Sequence, residues 1–232
     1  FTSLAAWVIM RPGPDLAPEL VQFGVAIPES APFGLSTFDR DLVISGDGSQ
    51  IVYSGRNPTG AGTQLNLRPL SQLVGAPLRG GDGGVSPFVS PDGEWVGFVS
   101  GNTSLQKVLM FGGPPVTLTE SPARIQGASW GSDDQIIFGS FGAGLFRVGG
   151  AGGEPEVLTT PDAEQGETNH RWPFIIPGRQ AVVFQVDTGS ALSTGQLAVL
   201  ELETGEITRL GLAGLNPHYV STGHLVYAAE DG

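Results

Sequence analysis

The densest run of reactive side chains is Asp162-Ala163-Glu164-Gln165-Gly166-Glu167-Thr168-Asn169-His170-Arg171-Trp172. Carboxylates, an imidazole, a guanidinium and an indole crowd together there. Such a mixture suits polar recognition of a ligand or partner, which makes Asp162, Glu164, Glu167, His170, Arg171 and Trp172 the candidate contacts. The alternative is a solvated loop feeding a strand. A metal site is not expected, because calcium-type sites need alternating oxygen ligands closed by a bidentate Glu. A second motif, Gly127-Ala128-Ser129-Trp130-Gly131, matches G-x-S-x-G. That nucleophile elbow requires strand, strained turn and helix. Here a hairpin turn and another strand follow, so Ser129 reads as a strand serine. The histidines His170, His218 and His224 show no i,i+4 metal spacing and no carboxylate placed for a triad. No catalytic residue, metal or cofactor is expected.

The elements that must carry these residues are set by a recurring turn. Ser45-Gly46-Asp47-Gly48, Ser90-Pro91-Asp92-Gly93 and Gly131-Ser132-Asp133-Asp134 each precede an apolar run. Degenerate copies lie at Pro177-Gly178-Arg179 and Ser221-Thr222-Gly223. The spacing of about 41 to 45 residues matches a four-stranded propeller blade. Alternating apolar patterns bounded by Gly, Asp and Ser place strands at 41–45, 50–54, 64–70 and 74–79 in the first repeat. The second repeat has them at 85–89, 94–99, 105–111 and 115–119, and the third at 126–130, 135–139, 144–148 and 155–159. The fourth has them at 171–176, 181–186, 196–202 and 206–210. A half repeat follows at 215–220 and 224–229. No segment has sustained helical periodicity. The expected fold is all-β: a β-propeller of four-stranded antiparallel blades, about four and a half of them in this chain. A closed ring usually needs more blades, so the missing ones are expected beyond Gly232. Val21–Ile27 is a candidate strand for completing the last blade.

Composition narrows the partners. Of 232 residues, 11 are Lys or Arg and 23 are Asp or Glu, a net charge of −12. Phosphate binding needs clustered basic residues, so nucleic acid is excluded as an expected partner. There is no cysteine, which removes disulfides and thiolate metal sites. Residues 1–10 are apolar and stop at Arg11. They are too short to span a bilayer, which takes about 20 residues. They read as the end of a membrane helix, or else as a strand or disordered end, with 11–20 as a Pro-rich tether and 21–232 as the propeller. Asn102-Thr103-Ser104 is a glycosylation sequon, relevant only in a eukaryotic secretory setting.

Antiparallel strand order puts the Asp-Gly turns and the third-to-fourth strand turns on one face. The longer loops, Gly55–Gly62, Gly80–Gly84, Thr160–Asn169 and Thr188–Gly195, fall on the other. Function collects on loops held by a rigid scaffold, so the long-loop face is the expected site for a protein, peptide or small-molecule ligand.

Ser90-Pro91-Asp92-Gly93-Glu94-Trp95-Val96-Gly97-Phe98 resembles the TolB-type WD-like propeller repeat. Gly112-Gly113-Pro114-Pro115-Val116-Thr117-Leu118-Thr119 and Gly152-Gly153-Glu154-Pro155-Glu156-Val157-Leu158-Thr159 are similar to its blade ending. Gln64–Leu70, Ser86-Pro87-Phe88 and His170-Arg171-Trp172-Pro173 resemble the propeller attached to bacterial membrane-bound Ser/Thr protein kinases. That resemblance implies an extracytoplasmic, membrane-anchored sensor or interaction module that does not itself transfer phosphoryl groups. The kinase domain would lie elsewhere in the parent protein, since no kinase motif is present here. Two alternatives stay open. One is a periplasmic TolB-like protein that docks other envelope proteins. The other is the propeller of a prolyl-oligopeptidase-type peptidase.

Overall fold

The computed structural model describes residues 39–57, 60, 62–189, 195–220 and 222–229. The expected membrane-helix end, the tether and the Val21–Ile27 strand lie outside the described residues. Within them the chain forms four antiparallel sheets of four strands each and a final hairpin. The first blade holds β1 (Leu42–Ile44), β2 (Gln50–Arg56), β3 (Thr63–Pro69) and β4 (Ala76–Asp82). The second holds β5 (Gly84–Val89), β6 (Trp95–Ser100), β7 (Ser104–Leu109) and β8 (Val116–Glu120). The third holds β9 (Ile125–Trp130), β10 (Gln135–Ser140), β11 (Leu145–Gly149) and β12 (Glu156–Val157). The fourth holds β13 (Glu167–Ile175), β14 (Ala181–Thr188), β15 (Gly195–Glu201) and β16 (Ile207–Ala213). β17 (Leu215–Val220) and β18 (His224–Ala228) form the hairpin. Each blade runs in sequence order from an inner to an outer strand, the arrangement of a β-propeller.

The core is divided into layers between blades. Val52 and Leu65 meet Val96, Phe98 and Val108 between the first and second blades. Val99 and Leu105 meet Ile136 and Phe138 between the second and third. Ile137 and Leu145 meet Val182, Phe184 and Ala198 between the third and fourth. This explains the continuous apolar runs in second strands. Successive side chains alternate between sheet faces, and in a blade both faces are covered. Ile136 and Phe138 therefore enter one layer and Ile137 the next.

The turns are held by their own side chains. Ser45 Oγ donates to Asp47 Oδ1 at 2.5 Å, and Asp47 accepts from the Ser49 amide at 3.0 Å. Ser90 Oγ accepts from the Trp95 amide at 2.9 Å, and Asp92 accepts from the Glu94 amide at 3.0 Å. The hydrogen bonds from Ser45, foremost, and from Ser49 lower the Asp47 carboxyl to about 2. In the third turn Asp134, at φ 61°, occupies the left-handed position held elsewhere by Gly48 and Gly93. Asp tolerates that region better than most residues, and the turn survives its missing glycine.

One expected loop, Gly80–Gly84, is almost wholly strand, and another, Thr160–Asn169, is strand only from Glu167. Gly80 and Gly81 lie in β4, and only Gly83 separates the end of β4 from the start of β5 at Gly84. The glycines there permit close packing: a Cβ on Gly81 or Gly84 would stand 2.7 Å from the Leu65 side chain. β13 begins at Glu167, four residues ahead of the expected start, because its polar residues pair with β14: Asn169 faces Asp187 and His170 faces Val186. The loop there accordingly ends before Asn169.

Every inner strand from β5 to β17 carries a bulge at the same place. Two residues oppose one at Ser86-Pro87, Gln126-Gly127, Trp172-Pro173 and Asn216-Pro217. Each bulge holds a residue at positive φ: Ser86, Gly127, Trp172 or Asn216. A bulge leaves backbone groups outside the ladder and bends the strand, and Pro is tolerated there because it has no N–H to pair.

Candidate functional site

The bulge in β13 presents two backbone carbonyls to a side chain from the first blade. Arg40, just ahead of β1, donates from Nη2 to the carbonyls of Trp172 at 3.0 Å and Pro173 at 3.4 Å. Its Nε donates to Asn216 Oδ1. The neighbouring Asp39 pairs with Arg124 at 2.8 Å and accepts from Ser86 Oγ at 3.3 Å. Asp39 and Arg40 thus tie the second, third and fourth blades and the final hairpin together across the axis.

Above Arg40, toward the Asp-Gly turns, the inner strands splay around a cavity of about 600 Å³. Its walls are largely apolar and include Leu42, Ile44, Phe88, Trp130 and Phe174. Leu42 and Ile44 share one face of β1 and stay exposed. Val43, between them, packs into the first inter-blade layer. Arg40 occupies the deep end. It is only 9% exposed, and burial pushes its guanidinium down to about 9. No carboxylate of the described residues lies within ion-pairing distance of it. His218, on β17, also lines the cavity, with its ring 4.9 Å from that of Phe174. Burial, and then the Arg40 charge, lower it to about 4, so it is neutral at pH 7. Ser129 lies in β9 and accepts the Ile175 amide at 3.1 Å. A turn and β10 follow it, with no helix, so the elbow geometry is absent.

The candidates from the polar segment are distributed differently. Asp162 caps the short 3-10 turn Ala163–Gln165, accepting from the Glu164 amide at 2.9 Å, and Glu164 is exposed. Glu167, His170, Arg171 and Trp172 are inside β13, at the long-loop end of the blade. Thr159 Oγ1 lies 2.7 Å from His170 Nδ1, and His170 Nε2 lies 2.8 Å from Glu167 Oε2. Glu167 also accepts from the Asp162 amide at 2.8 Å and pairs with Arg209. Arg171 Nε is 2.9 Å from Asp187 Oδ2, and its guanidinium stacks 4.3 Å from the Trp172 ring centre. Asp187 further accepts from Gln185 at 2.6 Å.

The Thr159–His170–Glu167 line has the residue types of a nucleophilic triad without its access. Thr159 is buried, and its oxygen accepts the Leu145 amide at 2.8 Å. It can therefore give its proton to Nδ1, which leaves Nε2–H to donate to Glu167. His170 is 1% exposed, and burial lowers it to about 4 despite the Asp187 charge nearby. A nucleophile must reach substrate; this hydroxyl reaches only protein. Among the described residues no group of three or more His, Asp or Glu could hold a metal, and no helix is long and apolar enough to cross a membrane.

Sequence reasoning missed Arg40, Leu42 and Ile44. The recurring X-Pro step at Ser86-Pro87, Trp172-Pro173 and Asn216-Pro217 was the available signal. It marks the bulges that Asp39 and Arg40 meet: Trp172 and Pro173 through their carbonyls, Asn216 and Ser86 through their side chains.

No protein-family model and no curated protein matches the chain. Solved structures do resemble it. TolB from Acinetobacter baumannii superposes with a TM-score of 0.65 at 19% identity, over 84% of this chain and 50% of that one. The Cps50 (Swd1) propeller domain of Myceliophthora thermophila superposes with a TM-score of 0.64 at 13% identity, over 87% of this chain and 67% of that one. A prolyl endopeptidase gives 0.55 at 11% identity, over 81% of this chain and 31% of that one. The chain thus spans about half the length of the TolB it matches. At these identities the shared property is the fold, a β-propeller.

Proposed function

We propose that the chain is a binding propeller, a recognition module without chemistry of its own, and that its ligand enters the cavity on the turn face. The carrying observation is that cavity: about 600 Å³ with largely apolar walls and a few converging polar groups at its deep end. Those are the common attributes of a ligand site. On the long-loop face Glu167, His170, Arg171 and Asp187 are taken up by one another and by Arg209.

The setting we propose is extracytoplasmic, next to a receptor-type Ser/Thr kinase. What supports it is the similarity of Gln64–Leu70, Ser86–Phe88 and His170–Pro173 to kinase-attached propellers. An envelope docking protein of the TolB type would use the same cavity.

The test is to pan the 232-residue chain against displayed random peptides and map the selected binders. Ile44→Arg should abolish their binding, because it fills the cavity with a solvated cation. Asn102→Arg, on the opposite face, should leave it intact. Binders that survive Ile44→Arg and are lost with Asn102→Arg would overturn the assignment. Measurable kinase or peptidase turnover by the purified chain would overturn the non-catalytic part.

A further inference from the structure

We propose that the cavity receives an apolar group ending in a single carboxylate, and that Arg40 is the anchor for that carboxylate. This rests on the cavity being the binding site and goes further by naming the chemistry of its ligand.

Arg40 is buried at the deep end with its charge unanswered by any described carboxylate. A guanidinium offers five N–H donors. Nε and Nη2 are engaged by Asn216, Trp172 and Pro173. Nη1 makes no hydrogen bond to a described residue. It is the nitrogen left for a ligand. A buried cation without a counter-charge is costly, and a partner that brings one recovers strong, charge-assisted hydrogen bonds.

The rest of the site selects the anion. Phe88, Trp130 and Phe174 favour an apolar body. His218 is neutral and adds no second positive charge. Arg147 is already paired with Glu156 at 2.6 Å. The mouth is framed by the turns that carry Asp47, Asp92 and Asp133, and the chain as a whole has a net charge of −12. Arg179, on the fourth turn, also lines the cavity. Multiply charged anions such as phosphates are repelled by that rim, whereas one carboxylate on an apolar stem slips past it.

The ligand could be a free small acid or the C-terminus of an apolar peptide, and the two arms of the test tell them apart. In one arm, 4-phenylbutyrate is compared with 4-phenylbutanamide. In the other, acetyl-Leu-Phe-Leu as the free acid is compared with its C-terminal amide. Binding to the 232-residue chain is followed by calorimetry. We expect the acid to bind at least 10-fold more tightly than its amide in one arm, and the arm identifies the source. Arg40→Lys should lower the preference, since a point charge replaces a fork. Arg40→Gln should remove it. The matched acid and amide are compared on the unaltered chain, so the test does not depend on an Arg40 variant folding. Equal affinities of acid and amide in both arms, or no binding in either, overturn the Arg40 anchor. If cavity-dependent peptide binders exist but show no carboxylate preference, the anchor falls and the binding-propeller assignment stands. If nothing depends on Ile44, both fall.

Discussion

Glu167, His170, Arg171 and Asp187 crowd the long-loop end of the fourth blade's inner strand; Arg40 sits near the middle of the axis, facing the turn end. All are largely buried, and all come from polar stretches of sequence. At the long-loop end each charge meets its complement: Arg171 has Asp187, and Glu167 has Arg209 and the His170 ring. At the turn end Arg40 is a buried cation that has only carbonyl and amide acceptors, and open apolar walls rise above it. A buried polar cluster that is fully answered specifies structure. A buried charge that is not answered marks where something else can bind. The density of functional groups in sequence pointed to the first region, whereas the unbalanced one is the second.

The sharpest way to break this comparison is to unbalance the closed end. Arg171→Met leaves Asp187 buried without its cation, next to Gln185 and Asn169. Removing one partner of a buried ion pair costs about 3–5 kcal/mol. Urea unfolding should show a loss of that size, and Arg171→Met with Asp187→Leu should recover most of it. Affinity for a cavity ligand, measured where the variant is still folded, should not change. A stable Arg171→Met variant would mean that this cluster does not hold the fourth blade.

Acid should weaken both ends through their histidines. His170 and His218 are lowered to about 4 in the folded chain from 6.5. Between those values the unfolded chain binds more protons than the folded one, so stability falls as pH drops from 6.5 toward 4. For the fully buried His170 the loss approaches about 3 kcal/mol; half-buried His218 adds less. Asp187, raised by burial, acts in the opposite direction as it protonates. The urea midpoint should therefore decline across this window, and His170→Gln should flatten much of the decline. An unchanged slope would assign it elsewhere.

What was legible in sequence follows from the same contrast. Strands were legible because blade stacking buries both faces of Ile51–Tyr53, Ile136–Phe138 and Val182–Phe184, and the Ser/Asp turns punctuate them. The start of β13 was not, because Glu167 to His170 resemble loop residues until β14 and Arg209 supply their partners. Gly80–Gly84 reads as a loop, but its glycines admit Leu65. Arg40 was invisible for a different reason. Asp39-Arg40-Asp41 reads as a solvated run, and only the closing of the arc carries it to the axis, more than a hundred residues from its acceptors.

Ser90→Ala is a milder probe, of the scaffold at the mouth. The hydroxyl accepts the Trp95 amide and donates to Asp92. Its loss should cost about 1 kcal/mol, visible as a small shift in urea midpoint, with the cavity walls unmoved. A much larger loss would make the turn a determinant of the cavity and not only its punctuation.

The smallest effect on stability is expected from Ile44→Arg, and it separates the two ends most cleanly. Ile44 is 45% exposed on β1, and its side chain supports no inter-blade layer. Surface substitutions of this kind usually stay within about 0.5 kcal/mol. A second cation near Arg40 also raises the local positive potential, so a carboxylate probe excluded by bulk must be distinguished from one attracted by charge. Ile44→Gln supplies that control, with similar reach and no charge. If both variants keep the parent's urea midpoint and both lose cavity binding, the exposed apolar wall is what the ligand occupies. If Ile44→Arg tightens binding of the acid while Ile44→Gln weakens it, charge dominates over apolar contact. The open end of the channel would then behave as an extended anion site, with Arg40 as only one of its anchors.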